Sequence, residues 1–214
     1  MKNLCRLSIL LCVLAVGMSA TSADAYLITM FGPSAYNSNT ALMDATLGLT
    51  GFNIENFEDT TLIPGLSASG TNFNLSVSLP PAPWDGSRAM FLGNQPANIT
   101  FSLAALASKV GIGMTFVNNS GHTVKINGGS AIDFTALPGF VFGNVRNGYL
   151  IIDQQSGDAP ITSLTFTNAS LPSETLLMDH LAFNVVPEPS SLILFAVGIL
   201  GVLGYGYRRR KKAA

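Results

Sequence analysis

The sequence predicts an all-β fold, an antiparallel β-sandwich of jelly-roll type, between two apolar terminal segments. Through the central part of the chain, apolar residues recur at every second position, which is the period of a strand with one buried face. Groups of Asn, Ser, Gly and Pro separate these stretches at short intervals. Many short strands joined by frequent turns are typical of sandwiches and jelly rolls.

The strand pattern occurs in seven stretches of the central region. They are residues 73–79, 99–103, 110–117, 122–127, 148–153, 161–167 and 175–183. Between the third and fourth stretches lies Asn118-Asn119-Ser120-Gly121, a composition that favours a tight turn. We therefore predict that these two strands form a hairpin.

One helix is predicted near the start of the central region, over residues 41–49. Asn39 precedes it and is a good N-terminal cap, because its side chain can accept a hydrogen bond from a free amide of the first turn. Leu42, Ala45 and Leu49 follow the helical period, and we expect them to form its buried face.

Charge and cysteine content limit the classes of function open to the central region, residues 26–186. This length suffices for one domain with its own core. Its ten acidic residues outnumber its four basic ones, so it lacks the clustered cations that nucleic-acid phosphates require. Both cysteines, Cys5 and Cys12, lie before it, which excludes disulfides and thiol chemistry there.

The N-terminal residues 1–25 have the features of a secretory signal peptide. Lys2 and Arg6 form a basic start, and residues 7–18 are apolar. Ala23-Asp24-Ala25 then provides a small-x-small cleavage site before Tyr26. We expect export through the general secretion machinery.

The C-terminal residues 187–214 combine three features in a fixed order. Pro187, Glu188 and Pro189 come first, then an uncharged apolar run over residues 192–207, then Arg208, Arg209, Arg210 and two lysines. As a helix the run covers about 24 Å, which makes a short membrane anchor against a hydrocarbon core of about 30 Å. Since Lys and Arg remain cytoplasmic, the Pro-Glu-Pro tripeptide is placed on the outer side of that membrane.

This tail resembles the PEP-CTERM sorting signal of Gram-negative bacteria that produce exopolysaccharide. The resemblance implies processing near the tripeptide by exosortase, a membrane cysteine transpeptidase, and a precursor held transiently in the inner membrane. It also implies a mature form at the cell surface or in the extracellular matrix. The central region is similar to the jelly-roll domain of such proteins, notably at 56–59, 148–153, 160–166 and 177–183.

The leading hypothesis is therefore an exported, non-enzymatic protein of the cell surface or matrix, associated with exopolysaccharide and biofilm. The alternative is a carbohydrate-binding module of that matrix, and a second alternative is a secreted polysaccharide hydrolase. No sequence motif of a catalytic centre is present, and we assign no catalytic residues. We expect His122, which follows a turn glycine, to be exposed, and His180 to lie opposite Asp179 on the last strand.

Two binding sites are predicted in the central region. The first is a structural Ca²⁺ held by Glu58, Asp59 and Asp179, the one cofactor the sequence suggests. Asp179 interrupts an otherwise apolar face, and a buried carboxylate requires a partner or a cation. Its alternative is that Asp179 caps a turn or lies on a bulge at a solvated edge. The face consists of Leu177, Leu181 and Phe183.

The second is a sugar site, in which Trp84 and Tyr149 supply stacking faces and Asp85 a polar neighbour. Jelly rolls are a common lectin scaffold, and aromatic rings beside polar groups suit a sugar ring. The alternative is that Trp84 fills one end of the sandwich, since aromatic side chains are more often part of a core.

Overall fold

The computed structural model describes residues 26–36, 39–78, 84–93, 97–143, 146–168 and 175–186. The predicted signal peptide, residues 1–25, and the sorting segment, residues 187–214, lie outside these residues. None of the helices in the described ranges has the length and apolar character needed to span a bilayer.

Strands dominate the described part of the chain. They are β1 (Leu27–Phe31), β2 (Asn53–Glu55), β3 (Leu66–Thr71), β4 (Phe73–Ser78), β5 (Arg88–Leu92), β6 (Ala97–Ala107), β7 (Lys109–Thr115), β8 (Thr123–Ile126), β9 (Ile132–Asp133), β10 (Arg146–Asp153), β11 (Ile161–Asn168) and β12 (Leu176–Phe183). A single α-helix in these ranges, α1 (Thr40–Leu47), follows β1, and short 3-10 turns cover Pro33–Tyr36 and Phe134–Ala136.

The strands form two antiparallel sheets. The first has seven strands in the order β1-β10-β7-β12-β5-β4, with β2 also paired to β12. The second has five strands in the order β3-β6-β11-β8-β9. From β5 onward the chain passes repeatedly between the sheets, which is how a jelly roll is wound. The predicted all-β, jelly-roll-like sandwich is confirmed.

The main core lies between the two sheets and is built from the inward positions of the alternating strands. Phe57 and Phe101 touch with ring centroids 5.9 Å apart, and Phe166 contacts both Phe101 and Phe134 at 6.3 and 6.1 Å. All four rings are at most 1% exposed. This aromatic cluster joins the first sheet to the second through burial of apolar surface.

The predicted hairpin between β7 and β8 is wrong. The two strands belong to different sheets, so residues 116–122 cross from one sheet to the other. Asn147 holds the start of this crossing: its side chain accepts from the amide of Val117 at 2.7 Å and donates to the Val117 carbonyl at 2.9 Å. A turn-forming composition fits a crossing as well as a hairpin, so it could not separate the two.

Helix α1 covers part of the outer face of the seven-stranded sheet. Asn39 caps it as predicted, its side chain accepting from the amide of Leu42 at 2.7 Å. The predicted buried face is wrong for Leu42, which is 45% exposed, and for Ala45, because the helix turns Met43 and Leu47 toward the sheet instead. Leu49 is buried as predicted but lies beyond the end of the helix. A second, smaller apolar core results between helix and sheet.

Candidate functional site

The last strand, β12, contains a β-bulge next to Asp179, as the alternative to the calcium site predicted, but in a buried strand and not at a solvated edge. Its register with β7 shifts between Asp179 and Ala182, so that one extra residue is inserted on the β12 side. His180 lies at this bulge with φ of +51°, in the left-handed region that side chains other than Gly seldom adopt. It is fully buried nonetheless.

The bulge changes which face each residue of β12 occupies. Leu176, Met178, Leu181 and Phe183 belong to the core between the sheets, and Ala182 belongs to the smaller core under α1. The expectation that Asp179 interrupts the face of Leu177, Leu181 and Phe183 is therefore wrong. One inserted residue reverses the alternation beyond it, since strand side chains have a period of two.

The imidazole of His180 is bonded through both ring nitrogens. Its Nε2 lies 2.8 Å from Oδ1 of Asp44 on α1, and its Nδ1 lies 3.2 Å from Oδ2 of Asp85. Burial by itself lowers the His180 pKa, but the hydrogen bond to Asp85 and the charge of Asp44 outweigh it and raise the pKa. The raised pKa favours the protonated ring, in which both nitrogens donate to the two aspartates. Tyr149 completes the contact by donating from its hydroxyl to the His180 carbonyl at 2.8 Å.

Asp179 is also fully buried, and its two oxygens accept from two backbone amides. Oδ2 accepts from Asp85 N and Oδ1 from His180 N, both at 2.7 Å. Burial raises the Asp179 pKa to about 7, against the opposing effect of these hydrogen bonds. The pKa of Asp85 is lowered, chiefly by its hydrogen bond to His180. We call Asp44, Asp85, Tyr149, Asp179 and His180 the His180 cluster.

Residues 84–88, the clamped loop, are held from the opposite side by Glu58. Its carboxylate accepts from the amide and hydroxyl of Ser87 at 2.5 and 2.9 Å, and from the amide of Arg88 at 2.7 Å. A Cβ at Gly86 would lie 2.1 Å from Oε1 of Glu58, and Gly86 has φ of +59°, so the turn requires glycine. The clamped loop is thus fixed by Glu58 on one side and by Asp179 on the other.

Two glycines of β7 leave space for the aromatic rings that pack beside this cluster. A Cβ on Gly113 would lie 2.3 Å from Cδ1 of Trp84, and one on Gly111 would lie 2.7 Å from Cε1 of Tyr149. Both rings rest directly on the sheet for this reason and meet edge to face with centroids 5.3 Å apart. Trp84 also donates from its indole nitrogen to the Met114 carbonyl at 3.0 Å.

The residues predicted to bind sugar do come together, but not as a binding face. Trp84 and Tyr149 are both 0% exposed, so neither ring is open to a ligand, and the predicted stacking platform is wrong for this arrangement. Asp85 is bonded to His180. Trp84 does not fill an end of the sandwich either, since it packs under α1 against the outer face of a sheet.

The residues predicted to bind calcium do not share one site in this fold. Glu58 and Asp179 hold the clamped loop, while Asp59 accepts from the amide of Thr61 at 2.6 Å in a turn. Glu58 and Asp59 lie in the segment that follows β2, the strand that pairs with β12. In the described ranges no three His, Cys, Asp or Glu side chains are grouped to hold a metal ion. Each of these carboxylates accepts from N–H groups in this fold, and the structural Ca²⁺ remains a prediction.

His122 was expected to be exposed, and that expectation is wrong. It is fully buried, it stacks on Phe134 with ring centroids 6.2 Å apart, and neither ring nitrogen has a hydrogen-bond partner. Burial lowers its pKa, with Asp133 opposing. The crossing between the sheets carries His122 inward, where a hairpin would have left it at a tip.

Sequence reasoning missed Asp44, Tyr36 and Arg146. The Arg146 guanidinium lies 3.5 Å from the ring centroid of Tyr36 and 5.9 Å from that of Trp84, so it makes cation–π contacts with both rings. A single polar position in a short helix, such as Asp44, carries no sign that it will meet a histidine 136 residues away.

Chemically, the His180 cluster links separate elements of the fold. Both nitrogens of His180 are engaged with carboxylates, and the ring is buried, so it cannot accept a substrate proton. The charge pairs instead tie α1 and the clamped loop to β12.

Comparison with known proteins identifies the tail. Residues 185–211 match the PEP-CTERM protein-sorting motif, which confirms the resemblance seen in the sequence. The chain is accordingly an exported protein with a C-terminal membrane anchor and a signal for exosortase processing. No curated protein matches the chain.

Several solved structures resemble the sandwich at low identity. They include the K1 adhesin domain of Lys-gingipain from Porphyromonas gingivalis W83, at 12% identity and a TM-score of 0.43, covering 64% of this chain and 99% of that one. A family 29 carbohydrate-binding module from Piromyces equi is 8% identical with a TM-score of 0.38, covering 63% and 91%. TM-scores this low establish no function for the chain.

Proposed function

We propose that this protein is a non-enzymatic component of the cell surface or extracellular matrix, associated with exopolysaccharide, whose mature domain spans residues 26–186. The observation that carries the proposal is the sorting motif at residues 185–211, which begins where the folded domain ends. The domain then serves as cargo that exosortase releases or attaches.

The positions of the two chain ends support these boundaries. Leu27 pairs with Asp153, Asp153 pairs with Lys109, and the amide of Asn184 donates to the Lys109 carbonyl at 3.3 Å. The ends therefore leave the same end of one sheet, three strand spacings or about 14 Å apart. The domain can fold while a signal peptide and a C-terminal anchor are both in the same membrane.

The His180 cluster supports a non-enzymatic domain. It is the densest group of titratable side chains in the described residues, and its members bond to each other and to backbone amides. The alternatives of sugar binding and hydrolysis gain no support from Trp84 and Tyr149, which are buried, or from Asp85, which is bonded to His180.

Replacing Pro187, Glu188 and Pro189 together with Ala tests the sorting claim. In the native host we expect the wild-type product to lack its Arg-Lys tip, and the triple variant to accumulate as membrane-bound precursor that keeps it. Mass spectrometry of the two products, after fractionation of membrane and matrix, measures this directly.

The matched control replaces Pro80, Pro81 and Pro83, a second proline-rich stretch of the same chain, with Ala. It should be processed like the wild type. A mature wild-type product that retains Arg208–Arg210 would show that the tail is a permanent anchor.

A further inference from the structure

The folded domain and the sorting motif share residues. The motif begins at residue 185, whereas the described fold continues to residue 186, so Val185 and Val186 belong to both. The amide of Val186 donates to the Leu106 carbonyl at 2.7 Å, which places the last tertiary hydrogen bond of the described chain one residue before Pro187.

Asn184 fastens the same stretch to the corner between β6 and β7. Its Oδ1 accepts from the amides of Ser108 and Lys109 at 2.9 and 2.8 Å, and its Nδ2 donates to the Ser108 hydroxyl at 2.7 Å. With the backbone bonds of Asn184 and Val186, five hydrogen bonds hold three residues that follow the last strand. We call residues 184–186 the latch.

The latch leaves little room in front of the membrane. Five residues separate Val186 from the apolar run at Leu192, a reach of at most about 22 Å even when fully extended. An enzyme that binds an extended peptide uses main-chain groups on both sides of the bond it cuts. The amides of Asn184 and Val186 are already bonded to the sandwich. While these bonds are intact, the enzyme cannot pair with the main chain on the N-terminal side of the Pro-Glu-Pro tripeptide.

We propose that the latch is an autoinhibitory contact, and that exosortase acts on the motif only after residues 184–186 have detached from residues 106–109. This inference rests on the proposed function. Processing then depends on a local opening of the folded domain. The three side-chain hydrogen bonds of Asn184 set how often that opening occurs.

Two variants of the full chain separate the latch from the motif. Asn184→Ala removes three of the five hydrogen bonds and should shorten the half-life of the precursor roughly tenfold, because the open state becomes more populated. A six-residue Gly-Ser spacer between Val186 and Pro187 keeps every latch contact and exposes the motif, and it should also shorten the half-life. Pulse-chase labelling in the native host measures both.

Asn98→Ala is the matched control, because Asn98 makes an exposed side-chain bond to Thr71 at the far end of β6. Its precursor should have the wild-type half-life. If the spacer leaves the half-life unchanged while wild-type precursor is processed, the latch is wrong and the sorting claim stands. If neither wild type nor any variant is processed, the proposed function fails, and the latch fails with it.

Discussion

At the scale of single residues, the two histidines show how environment decides protonation. His180 is buried between Asp44 and Asp85, and its pKa is raised. His122 is buried against Phe134 without a hydrogen-bond partner, and its pKa is lowered from 6.5 by the loss of water. The folded protein therefore favours a proton on His180 and disfavours one on His122.

The lowered pKa of His122 predicts a loss of stability in acid. Its contribution is fully present above pH 6.5, where the unfolded histidine is neutral, and is lost as the pH falls toward the lower folded pKa. His122→Phe keeps a ring against Phe134 and removes the titration. We expect it to be about 1–3 kcal/mol more stable than wild type at pH 7, since no buried nitrogen remains unpaired, and we expect this difference to grow as the pH falls from 7 to 5.

Urea unfolding at several pH values measures the difference between the two proteins. His180 and Asp179 have raised pKa values, so their contribution to stability falls as the pH rises. Both proteins contain these two residues, so their contribution cancels when the unfolding free energy of wild type is subtracted from that of His122→Phe. Identical pH profiles for wild type and His122→Phe would show that His122 is hydrated in solution.

At the scale of elements, the His180 cluster joins parts of the chain that share no sheet. Asp44 lies on α1, Asp85 in the clamped loop and His180 in β12, and their hydrogen bonds span 95 and 136 residues. Helix α1 has only eight residues, too few for stability in isolation. Its place on the sheet depends on Met43, Leu47 and this charge contact.

Replacing His180 with Ala should weaken the attachment of α1 and the clamped loop. Two carboxylates lose their cation, and we expect the free energy of unfolding to fall by about 2–4 kcal/mol, below the cost for a fully buried pair because Asp85 keeps partial solvent contact. Hydrogen exchange should show the largest increase at residues 40–47 and 84–88.

The control is Lys125→Ala, which removes an exposed cation from β8 and should change stability by less than about 0.5 kcal/mol. Equal losses in the two variants, or exchange that rises evenly through both sheets, would contradict a local clamp.

At the scale of the whole molecule, strand order brings both chain ends to one end of the sandwich and sets the domain boundary at the latch. Residues 26–186 should therefore fold cooperatively without the terminal segments. A chain ending at Phe183 lacks all five latch hydrogen bonds, and we expect it to be less stable by about 2–5 kcal/mol.

Thermal unfolding of the two chains, monitored by circular dichroism, measures this loss. A full-length chain with its terminal segments is the reference, and it should unfold at the temperature of residues 26–186. Equal transitions for chains ending at 183 and 186 would show that the latch contributes nothing to the domain.

Local patterns predicted seven strands of this domain, the cap at Asn39 and the sorting tail, because each depends on neighbouring residues. Alternation located β4, β6, β7, β8, β10, β11 and β12, and it missed β1, β2, β3, β5 and β9. It could offer a bulge near Asp179 only as an alternative, since an inserted residue cannot be recognised until the partner strand is known.

Contacts between distant residues decided the rest. The partners of His180, the burial of Trp84 and Tyr149 on Gly113 and Gly111, and the passage of residues 116–122 between sheets all depend on which strands become neighbours. Strand pairing minimises the free energy of the whole chain, whereas a sequence pattern reports only the local preference. The tail could be identified from its own residues, but the role of Asp179, His180 and Asn184 exists only once the sheets have assembled.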